Sequence, residues 1–569
     1  MKFHVLAADY DGTLADNGYV EATTVDALVR LRQSGRHVVM VTGRLLAPLL
    51  DAFPEVALCD LVVAENGALL YDPKTRTERP LAEAPPREFL ETLRTRGVQV
   101  SEVGRVIIAT CVPYETLTLE TIRDAALELQ IVFNKGAVMV LPTGVNKASG
   151  LRAALMELGL SPHNAVGIGD AENDGAFLKL CEASAAVDNA LDALKGQADI
   201  TVKGAGGKGV VELIDRLIAD DLKELHHRPG RGILLGTDLA GEALWIPVYG
   251  TRMLVTGDSA GGKSKLAVSI LSQLIESGYQ TCVIDPEGDF QAVEGAIVLG
   301  TRKQSPSPEE VMQVICKPDM SCVVSLFGTE THEQPAQFGR LYRALQDHRI
   351  RTGRPHWNII DEAHYPISAS GVGIDELHFE DWRSVMYVTA FPQQMPRTVL
   401  SNIDLFVTIG DDPAKLLAEY CELLGIKSPE LKPPADSEKH RAVAWWRGKG
   451  APFWFRRSSL QGEHQRHRHQ YFDGEMDPAN QFYFRGPKGL LKLAAGNLRT
   501  FMQLADGVDD ETWIYHLQRG DYADWFRTAI QDEKLAVLAE QLHRTDGVSA
   551  KESRKRISEL IQKLYVNEL

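Results

Sequence analysis

Cysteines and long hydrophobic runs are both scarce in this sequence. Only 7 of its 569 residues are cysteine, and these are scattered along the chain without a CxxC pair. A disulfide framework or a structural zinc site is therefore not expected, and a reducing environment fits best. No apolar run approaches the roughly 20 residues that span a bilayer, and no signal-peptide pattern follows Met1. We predict a cytoplasmic protein without a membrane partner.

Positive charge is also in deficit, since the formal net charge is -16. This balance argues against a nucleic-acid-binding surface over the whole chain, although it leaves room for a local basic groove. The residues that are present have the composition of a folded protein, with 44% hydrophobic and 24% charged. A chain of this length can form about three or four domains, each with its own core.

The order of apolar and amphipathic segments predicts an α/β multidomain protein. In the first third, strand-like runs alternate with helical stretches, which is typical of parallel βαβ units. This pattern changes between Leu69 and Thr143, as expected for an inserted subdomain. We predict a first domain at 1–215 (core 1–68 and 144–215, α+β insertion 69–143), a linker at 216–232, a second α/β domain at 233–426, a basic and aromatic connecting segment at 427–478, and a mainly helical domain at 479–569.

Reactive side chains follow the predicted strands of the first domain. Asp9 and Asp11 come directly after an apolar run and, being two residues apart, can face one site. The complete set is Asp9, Asp11, Thr42, Gly43, Lys147, Asp170, Asn173 and Asp174. The carboxyl ends of parallel strands meet at one edge of a sheet, where open α/β sheets bind ligands. We therefore expect these residues to gather at that edge.

These motifs, in this order, resemble those of the haloacid dehalogenase superfamily of phosphatases. The insertion lies between the Thr42 and Lys147 motifs, as in the Cof-type (class IIB) branch, whose smaller members include archaeal phosphoglycolate phosphatases. The resemblance covers about residues 1–215. It implies a Rossmann-like core with an inserted α+β cap, and a Mg²⁺-dependent phosphomonoesterase.

The resemblance also implies a role for each residue. Asp9 would attack phosphorus and form an aspartyl phosphate, while Asp11 would protonate the leaving oxygen and then activate water. The phosphoryl oxygens would be held by Thr42, Gly43 and Lys147. The predicted metal-site residues are Asp9, Asp11 through its main-chain carbonyl, Asp170 and Asp174, with Asn173 beside them. A capped pocket suits a small phosphorylated metabolite such as a sugar phosphate or phosphoglycolate, for which the candidate contacts are Arg105, Tyr114, Asn134 and Lys135.

The second domain contains a phosphate-binding loop pattern. An apolar strand is followed by Gly257, Asp258, Ser259, Ala260, Gly261, Gly262, Lys263 and Ser264, and then by an amphipathic helix. This is GxxxxGK[ST] in the strand–loop–helix context that it requires. Lys263 would reach the terminal phosphates of ATP or GTP, and the Ser264 hydroxyl would bind Mg²⁺.

A second acidic motif follows a later strand of the same domain. Asp361 would hold the Mg²⁺ shell and Glu362 would polarise the attacking water. With its acidic turn near Asp285 and its strand ending at Thr389, the domain resembles the HerA–FtsK ATPases, although Ala390 replaces their usual glutamine. That resemblance implies ATP hydrolysis and assembly as a homo-oligomer.

Two other interpretations stay open. Residues 246–250 before the phosphate loop also resemble the entry to an HPr-kinase-type loop, which would make the domain a kinase. Aromatic and basic residues interleave between Arg441 and Arg485, either to bind single-stranded nucleic acid or as hairpins with inward-facing aromatics. A nucleic-acid processing machine is thus an alternative that the net charge does not favour. We predict a bifunctional phosphatase–ATPase whose partners are a small phosphorylated metabolite and ATP.

Overall fold

The computed structural model describes residues 1–134, 136–226, 232–257, 262–291, 293–301, 303–371, 373–410, 412–431, 441–457, 472, 481–487, 493–530, 532–545 and 548–565. The chain forms two compact units, Met1–Ser458 and Ser459–Leu569. The first unit contains two α/β domains, each built on its own mainly parallel sheet.

The first α/β domain alternates strands and helices up to residue 220. Its elements are β1 (Val5–Ala8), α1 (Ala22–Gln33), β2 (His37–Val41), α2 (Leu46–Ala52), β3 (Leu61–Ala64), β4 (Leu69–Asp72), β5 (Thr77–Pro80), α3 (Arg87–Thr95), β6 (Glu102–Val103), β7 (Ile108–Cys111), α4 (Glu115–Asp124), β8 (Leu129–Asn134), β9 (Ala137–Pro142), α5 (Lys147–Glu157), β10 (Ala165–Gly169), α6 (Gly175–Leu180), β11 (Ala183–Ala186), α7 (Asp192–Lys195), β12 (Ile200–Thr201) and α8 (Gly207–Asp220). The stretch from α3 to β9 is the inserted cap.

The core sheet of this domain has the strand order β12-β11-β10-β1-β2-β3-β4-β5. β1 pairs in parallel with both β2 and β10, so that Ala8 lies opposite Met40 and Ile168. Every residue of β1 is buried, which is the continuous apolar pattern of a parallel strand covered on both faces. The carboxyl ends of β1, β2 and β10 therefore lie side by side.

The cap is an antiparallel sheet in the order β6-β7-β9-β8, packed against α3 and α4. Along β9, Val140 joins the apolar cluster beneath these helices, whereas Met139 and Leu141 join a second cluster with Ala68. This alternation follows the two-residue period of a strand. One apolar face of the cap sheet is thus turned towards the core, and β8 lies against the turn at Glu172–Asp174.

The second α/β domain follows from residue 233. Its elements are β13 (Ile233–Asp238), β14 (Ala243–Ile246), β15 (Arg252–Gly257), α9 (Lys263–Glu276), β16 (Thr281–Asp285), β17 (Ala296–Leu299), α10 (Pro308–Ile315), β18 (Ser321–Ser325), α11 (Gln334–Thr352), β19 (Trp357–Ile360), β20 (Val385–Thr389), α12 (Arg397–Leu400), β21 (Leu405–Ile409), α13 (Pro413–Leu424), β22 (Arg441–Trp446) and β23 (Phe453–Arg457).

Its sheet has the strand order β14-β13-β23-β22-β21-β15-β20-β19-β16-β18-β17. The strands from β21 to β17 run parallel, and the remaining ones are antiparallel. Leu254 of β15 packs into the apolar cluster on one face, and Met253 and Val255 pack into the cluster on the other. The parallel order again places the carboxyl ends of β15, β16, β19 and β20 along one edge.

Three segments differ from their sequence-based assignment. Residues 69–80, assigned to the inserted cap, form β4 and β5 and extend the core sheet from β3. Residues 216–220, assigned to the linker, complete α8 because Leu213, Ile214 and Leu217 are buried in the core of the first domain. Residues 441–457, assigned to the connecting segment, form β22 and β23 and extend the second sheet from β21. Phe455 is fully buried there, so the hairpin interpretation is confirmed for these residues.

The second unit contains a short hairpin and a group of helices. Its described elements are β24 (Phe482–Phe484), β25 (Leu493–Ala495), α14 (Leu498–Gly507), α15 (Asp510–Arg519), α16 (Asp521–Thr528), α17 (Glu533–Arg544) and α18 (Ala550–Tyr565). Phe484, Trp513 and Tyr522 lie in its core. Among the helices in the described ranges of both units, none has the length and apolar character needed to cross a membrane.

Candidate active site

A buried lysine bridges two carboxylates at the edge of the first sheet. Lys147 Nζ donates to Asp9 Oδ1 at 2.5 Å and to Asp174 Oδ1 at 2.6 Å. Asp9 follows β1, Asp174 lies in the turn after β10, and Lys147 is the first residue of α5. All three side chains are buried. The fold thus brings these sequence-predicted residues into direct contact.

Asp174 also shapes the loop that carries Asp170. Its Oδ2 accepts hydrogen bonds from the backbone N–H groups of Asp170 and Ala171, each at 2.9 Å. The Thr13 hydroxyl donates to Asp170 Oδ1 at 3.4 Å. Because both oxygens of Asp174 accept hydrogen bonds, this carboxylate fixes the loop and the lysine at the same time.

The carboxylates form a site that fits a hard cation. Asp9, Asp170 and Asp174 each place one oxygen within 4.8 Å of the others. Carboxylate oxygens are the ligands that Mg²⁺ prefers. Since three like charges this close repel one another, and Lys147 supplies a single positive charge, a divalent cation would complete the charge balance. These residues could therefore hold Mg²⁺.

Burial and charge together set the protonation of this cluster. Burial raises the pKa of Asp9 to about 7, with the charge of Asp174 adding to the effect and Lys147 opposing it. Burial alone would lower the pKa of Lys147, but the carboxylates of Asp174 and Asp9 raise it above its ordinary value. Lys147 therefore stays charged, and Asp9 is poised between its two protonation states near neutral pH.

Arg44 was given no role by the sequence, yet it makes a bidentate ion pair with Asp11. Its Nε and one terminal nitrogen donate to the two Asp11 carboxylate oxygens, each at 2.6 Å. The guanidinium also lies 4.8 Å from the centre of the Tyr10 ring, and the Arg44 backbone N–H donates to Thr42 Oγ1 at 3.1 Å. Arg44 thus links Asp11 to the Thr42 motif. Gly43 lies between Thr42 and Arg44 in the sequence. The only signal for it was its position next to the Thr42 motif.

The candidate specificity residues of the cap have structural partners. Arg105 Nε donates to Glu78 Oε2 at 2.7 Å, and Tyr114 packs against the apolar cluster beneath the cap helices. Asn134 ends β8, but its side chain and Lys135 lie outside the described residues. None of these contacts joins Arg105 or Tyr114 to the cluster of Asp9, Asp170 and Asp174.

The second sheet carries a cluster around the phosphate-loop lysine. Gly257 ends β15, while Gly262 and Lys263 begin the turn into α9, where the lysine is buried. Ser264 Oγ donates to Asp289 Oδ2 at 3.4 Å. The loop residues Asp258, Ser259, Ala260 and Gly261 lie outside the described residues. The described part therefore places a lysine and a hydroxyl at the start of a helix, beside a carboxylate.

Asp361 and Glu362 follow β19 at the same sheet edge. Burial raises the pKa of Asp361 to about 8, and the neighbouring charges of Glu362, Asp285 and Asp289 add to the effect. Neither oxygen of Asp361 accepts a hydrogen bond from another side chain in the described ranges. Burial would raise the pKa of Glu362 too, but His364 and Lys263 lower it below its ordinary value. Lys263 is thus close enough to stabilise the Glu362 carboxylate.

Arg457 is a further neighbour of the phosphate loop. Its guanidinium donates to the Gly262 carbonyl at 3.2 Å, from the end of β23. Gly262 has a φ of 87°, and a Cβ at this position would lie 2.2 Å from the guanidinium. The sequence had placed Arg457 in the aromatic and basic segment, and its approach to the loop depends on the pairing of β22 with β21.

Comparisons with known proteins identify the first domain. A family profile described as haloacid dehalogenase-like hydrolase matches residues 6–109 and 117–214. A phosphoglycolate phosphatase from Methanothermobacter thermautotrophicus is 30% identical over 220 residues, which cover 37% of this chain and 98% of that protein. Phosphoglycolate phosphatase 2 from Saccharolobus solfataricus is 29% identical over 220 residues, covering 38% of this chain and 92% of the relative.

One solved structure also aligns with part of this chain. The crystal structure of a haloacid dehalogenase-like hydrolase from Bacteroides thetaiotaomicron aligns with 38% of this chain and 100% of that one, with 17% identity and a TM-score of 0.34. The family profile ends at residue 214, so the HerA–FtsK resemblance of the second domain stays a prediction. Through its first domain, the chain belongs to the haloacid dehalogenase-like hydrolase family.

Proposed function

We propose that the first domain is a Mg²⁺-dependent phosphomonoesterase that uses Asp9 as its nucleophile. The observation that carries this proposal is the buried cluster in which Lys147 bridges Asp9 and Asp174 next to Asp170. Asp9 is positioned for attack because a hydrogen bond from Lys147 orients its carboxylate. Lys147 supplies positive charge for the phosphoryl oxygens. Names of the relatives, which include phosphoglycolate phosphatase, agree with this class of reaction.

The proposed reaction has two displacements at phosphorus. An Asp9 oxygen forms a bond to phosphorus while the bond to the leaving oxygen breaks, and Asp11 gives that oxygen its proton. Asp11 then takes a proton from water, which attacks the aspartyl phosphate and restores Asp9. When bound by Asp9, Asp170 and the main-chain carbonyl of Asp11, Mg²⁺ would supply charge that favours phosphoryl transfer. Asp174, the third carboxylate of the cluster, also orients Lys147 and the Asp170 loop.

The cap supports a proposal for the substrate class. Its sheet turns an apolar face to the core, and β8 lies against the Glu172–Asp174 turn. A pocket covered in this way admits small phosphorylated metabolites in preference to macromolecules. Phosphoglycolate and sugar phosphates are the candidates we propose.

Aryl phosphate hydrolysis by variants of the full chain tests the assignment. Asp9→Asn should abolish Mg²⁺-dependent hydrolysis, because an amide cannot form the acyl phosphate. Asp16→Asn, which changes an exposed carboxylate in the same loop, should leave the rate unchanged. Retained phosphatase activity in Asp9→Asn would overturn the proposal.

We further propose that the second domain binds and hydrolyses ATP or GTP. Support comes from the buried Lys263 at the start of α9, from Ser264, and from the Asp361–Glu362 pair at the same edge. Asp361 fits a Mg²⁺ site, since its buried carboxylate lacks a side-chain partner in the described ranges. Glu362, which the charge of Lys263 helps to keep ionised, would polarise the attacking water.

Nucleotide binding by Lys263→Ala tests the second site. Affinity for ATP should be lost in this variant, while Lys265→Ala, an exposed neighbour, should bind as the wild type does. Unchanged affinity in Lys263→Ala would refute the site.

Transfer of the terminal phosphate to a small acceptor instead of water would favour the kinase alternative. Salt-dependent binding of DNA or RNA would favour the nucleic-acid alternative. A cytoplasmic location and a homo-oligomer stay predictions, the latter to be tested by the mass in solution.

A further inference from the structure

A buried carboxylate of the core reaches into a turn of the cap. The hairpin that joins β6 to β7 turns at residues 104–107, where the Gly104 backbone N–H donates to the Ile107 carbonyl at 2.8 Å. Glu65 Oε1 accepts from the Arg105 N–H at 2.8 Å, and its Oε2 accepts from the N–H groups of Val106 and Ile107 at 2.9 and 3.2 Å. Consecutive N–H groups of a turn form a natural cradle for an anion, and here the core fills it with its own carboxylate.

The contact is tight and excludes water. Glu65 is 1% exposed, so its charge is compensated mainly by these cap N–H groups. At Gly104 a Cβ would lie 2.5 Å from Glu65 Oε2, so a larger residue there would displace the carboxylate. Hydrogen bonds to a buried charge are worth more than neutral ones, and losing them leaves the charge unsolvated. The hairpin tip is therefore held on the core.

The same turn of the core touches the catalytic motifs. Glu65 and Asn66 have φ angles of 52° and 53°. This left-handed conformation is unfavourable for glutamate, whereas asparagine adopts it more readily. The Asn66 N–H donates to the Thr42 carbonyl at 3.0 Å, and the Glu65 N–H donates to the Arg44 carbonyl at 2.9 Å. Asn66 Oδ1 accepts from Asn173 Nδ2 at 3.1 Å, in the loop that carries Asp170.

We propose that Glu65 is a positioning residue that latches the cap hairpin to the catalytic core and so sets the size selectivity of the phosphatase pocket. The proposal rests on the phosphatase function proposed above. With the latch closed, the cap limits access to small phosphomonoesters. Without it, the cap opens more often, larger phosphomonoesters gain access, and small ones are held less well.

Glu65→Gln and Glu65→Ala in the full chain test the latch by two readouts. Hydrogen exchange of the peptide that contains Arg105–Ile107 should accelerate by about ten-fold or more in both variants, as expected for the loss of hydrogen bonds to a charged acceptor. The ratio of kcat/KM for p-nitrophenyl phosphate to that for a phosphoserine peptide should fall by about ten-fold. For the aryl phosphate, KM should rise more than kcat falls. Glu78→Gln, which removes only the ion pair with the Arg105 side chain, should change neither readout.

Gly104→Ala approaches the same contact from the cap and covers the case in which Glu65→Ala does not fold. It should reproduce the faster exchange, since the added methyl displaces the Glu65 carboxylate. Wild-type exchange in Glu65→Gln and Gly104→Ala would overturn the latch, and so would a wild-type selectivity ratio in both variants of an active phosphatase. If the wild type hydrolyses no phosphomonoester, the phosphatase proposal fails, while hydrogen exchange still decides whether the latch exists.

Discussion

His356 Nε2 and Asn164 Oδ1 lie 3.2 Å apart, across the junction of the two α/β domains. Asn164 directly precedes β10, whose far end carries Asp170, and His356 directly precedes β19, whose far end carries Asp361. The amino ends of these two strands therefore face each other. At about 3.3 Å per residue, each carboxylate lies roughly 15–20 Å from this contact. The two candidate sites are thus joined through strands but do not share a pocket.

The junction should depend on Arg354. This buried guanidinium donates to the Gly159 carbonyl of the first domain, and to Gln280 Oε1 at 2.8 Å and the Ile315 carbonyl at 3.0 Å in the second. We expect Arg354→Met to weaken the junction by several kcal/mol, since each unpaired buried carbonyl costs about 1–3 kcal/mol. Calorimetry should resolve an additional unfolding transition in this variant. The exposed control Arg351→Met should unfold as the wild type does, and an identical profile for Arg354→Met would contradict the prediction.

The raised pKa of Asp9 makes stability depend on pH in the absence of metal. The folded protein holds a proton on Asp9 up to about pH 7, whereas the unfolded chain releases it near 3.8. The folded state therefore binds more protons in this window, and its stability falls as pH rises from about 4 to 7. Asp9→Asn should remove that fall. At pH 7 its free energy of unfolding, relative to that of the wild type, should be higher than at pH 4 by at most about 4 kcal/mol.

Urea unfolding in EDTA at several pH values between 4 and 8 measures this difference. The unfolding free energy of Asp9→Asn minus that of the wild type should increase steadily from pH 4 to pH 7. Asp16→Asn should show the same pH dependence as the wild type. A gap that stays constant with pH would exclude a titrating Asp9. Mg²⁺ should suppress the effect, because a bound cation favours the ionised carboxylate.

Arg44 should matter for the rate of the phosphatase through Asp11. Arg44→Lys keeps the charge but cannot form the bidentate pair. We expect kcat for an aryl phosphate to fall by about ten-fold or more, because activation of water by the ionised Asp11 carboxylate depends on its orientation. Arg30→Lys, in an exposed ion pair with Asp215, is the matched control. A wild-type kcat in Arg44→Lys would show that catalysis by Asp11 does not depend on the ion pair with Arg44.

Arg457 should contribute to nucleotide hydrolysis. Its guanidinium is next to the Gly262 carbonyl, where it can stabilise charge on a bound phosphate. We expect Arg457→Ala to slow ATP hydrolysis by about ten-fold or more, with a smaller effect on the phosphatase. Arg456→Ala is the control, because this neighbour points to the Leu239 carbonyl. Equal ATPase rates in the two variants would show that Arg457 makes no specific contribution to nucleotide hydrolysis.

The local sequence was sufficient for the main candidate residues. Asp9, Asp170 and Lys147 each stand at the end of a strand or the start of a helix, and parallel strands bring such positions to one edge. The same reasoning predicts that Lys263 and Asp361 lie at one edge of the second sheet. The α/β pattern and the inserted cap were also readable, since apolar periodicity reflects which faces are buried.

Contacts between distant segments were decided by the tertiary structure alone. The sequence contains Arg44 and Glu65 but does not reveal that one pairs with Asp11 and the other enters a cap turn 40 residues away. Residues 441–457 were assigned to a connecting segment because their sequence does not show which strand they pair with. They join the parallel strands of the second sheet through the edge of β21. Periodicity specifies which face of an element is buried, whereas the partner of that face depends on strand order and on the packing of whole domains.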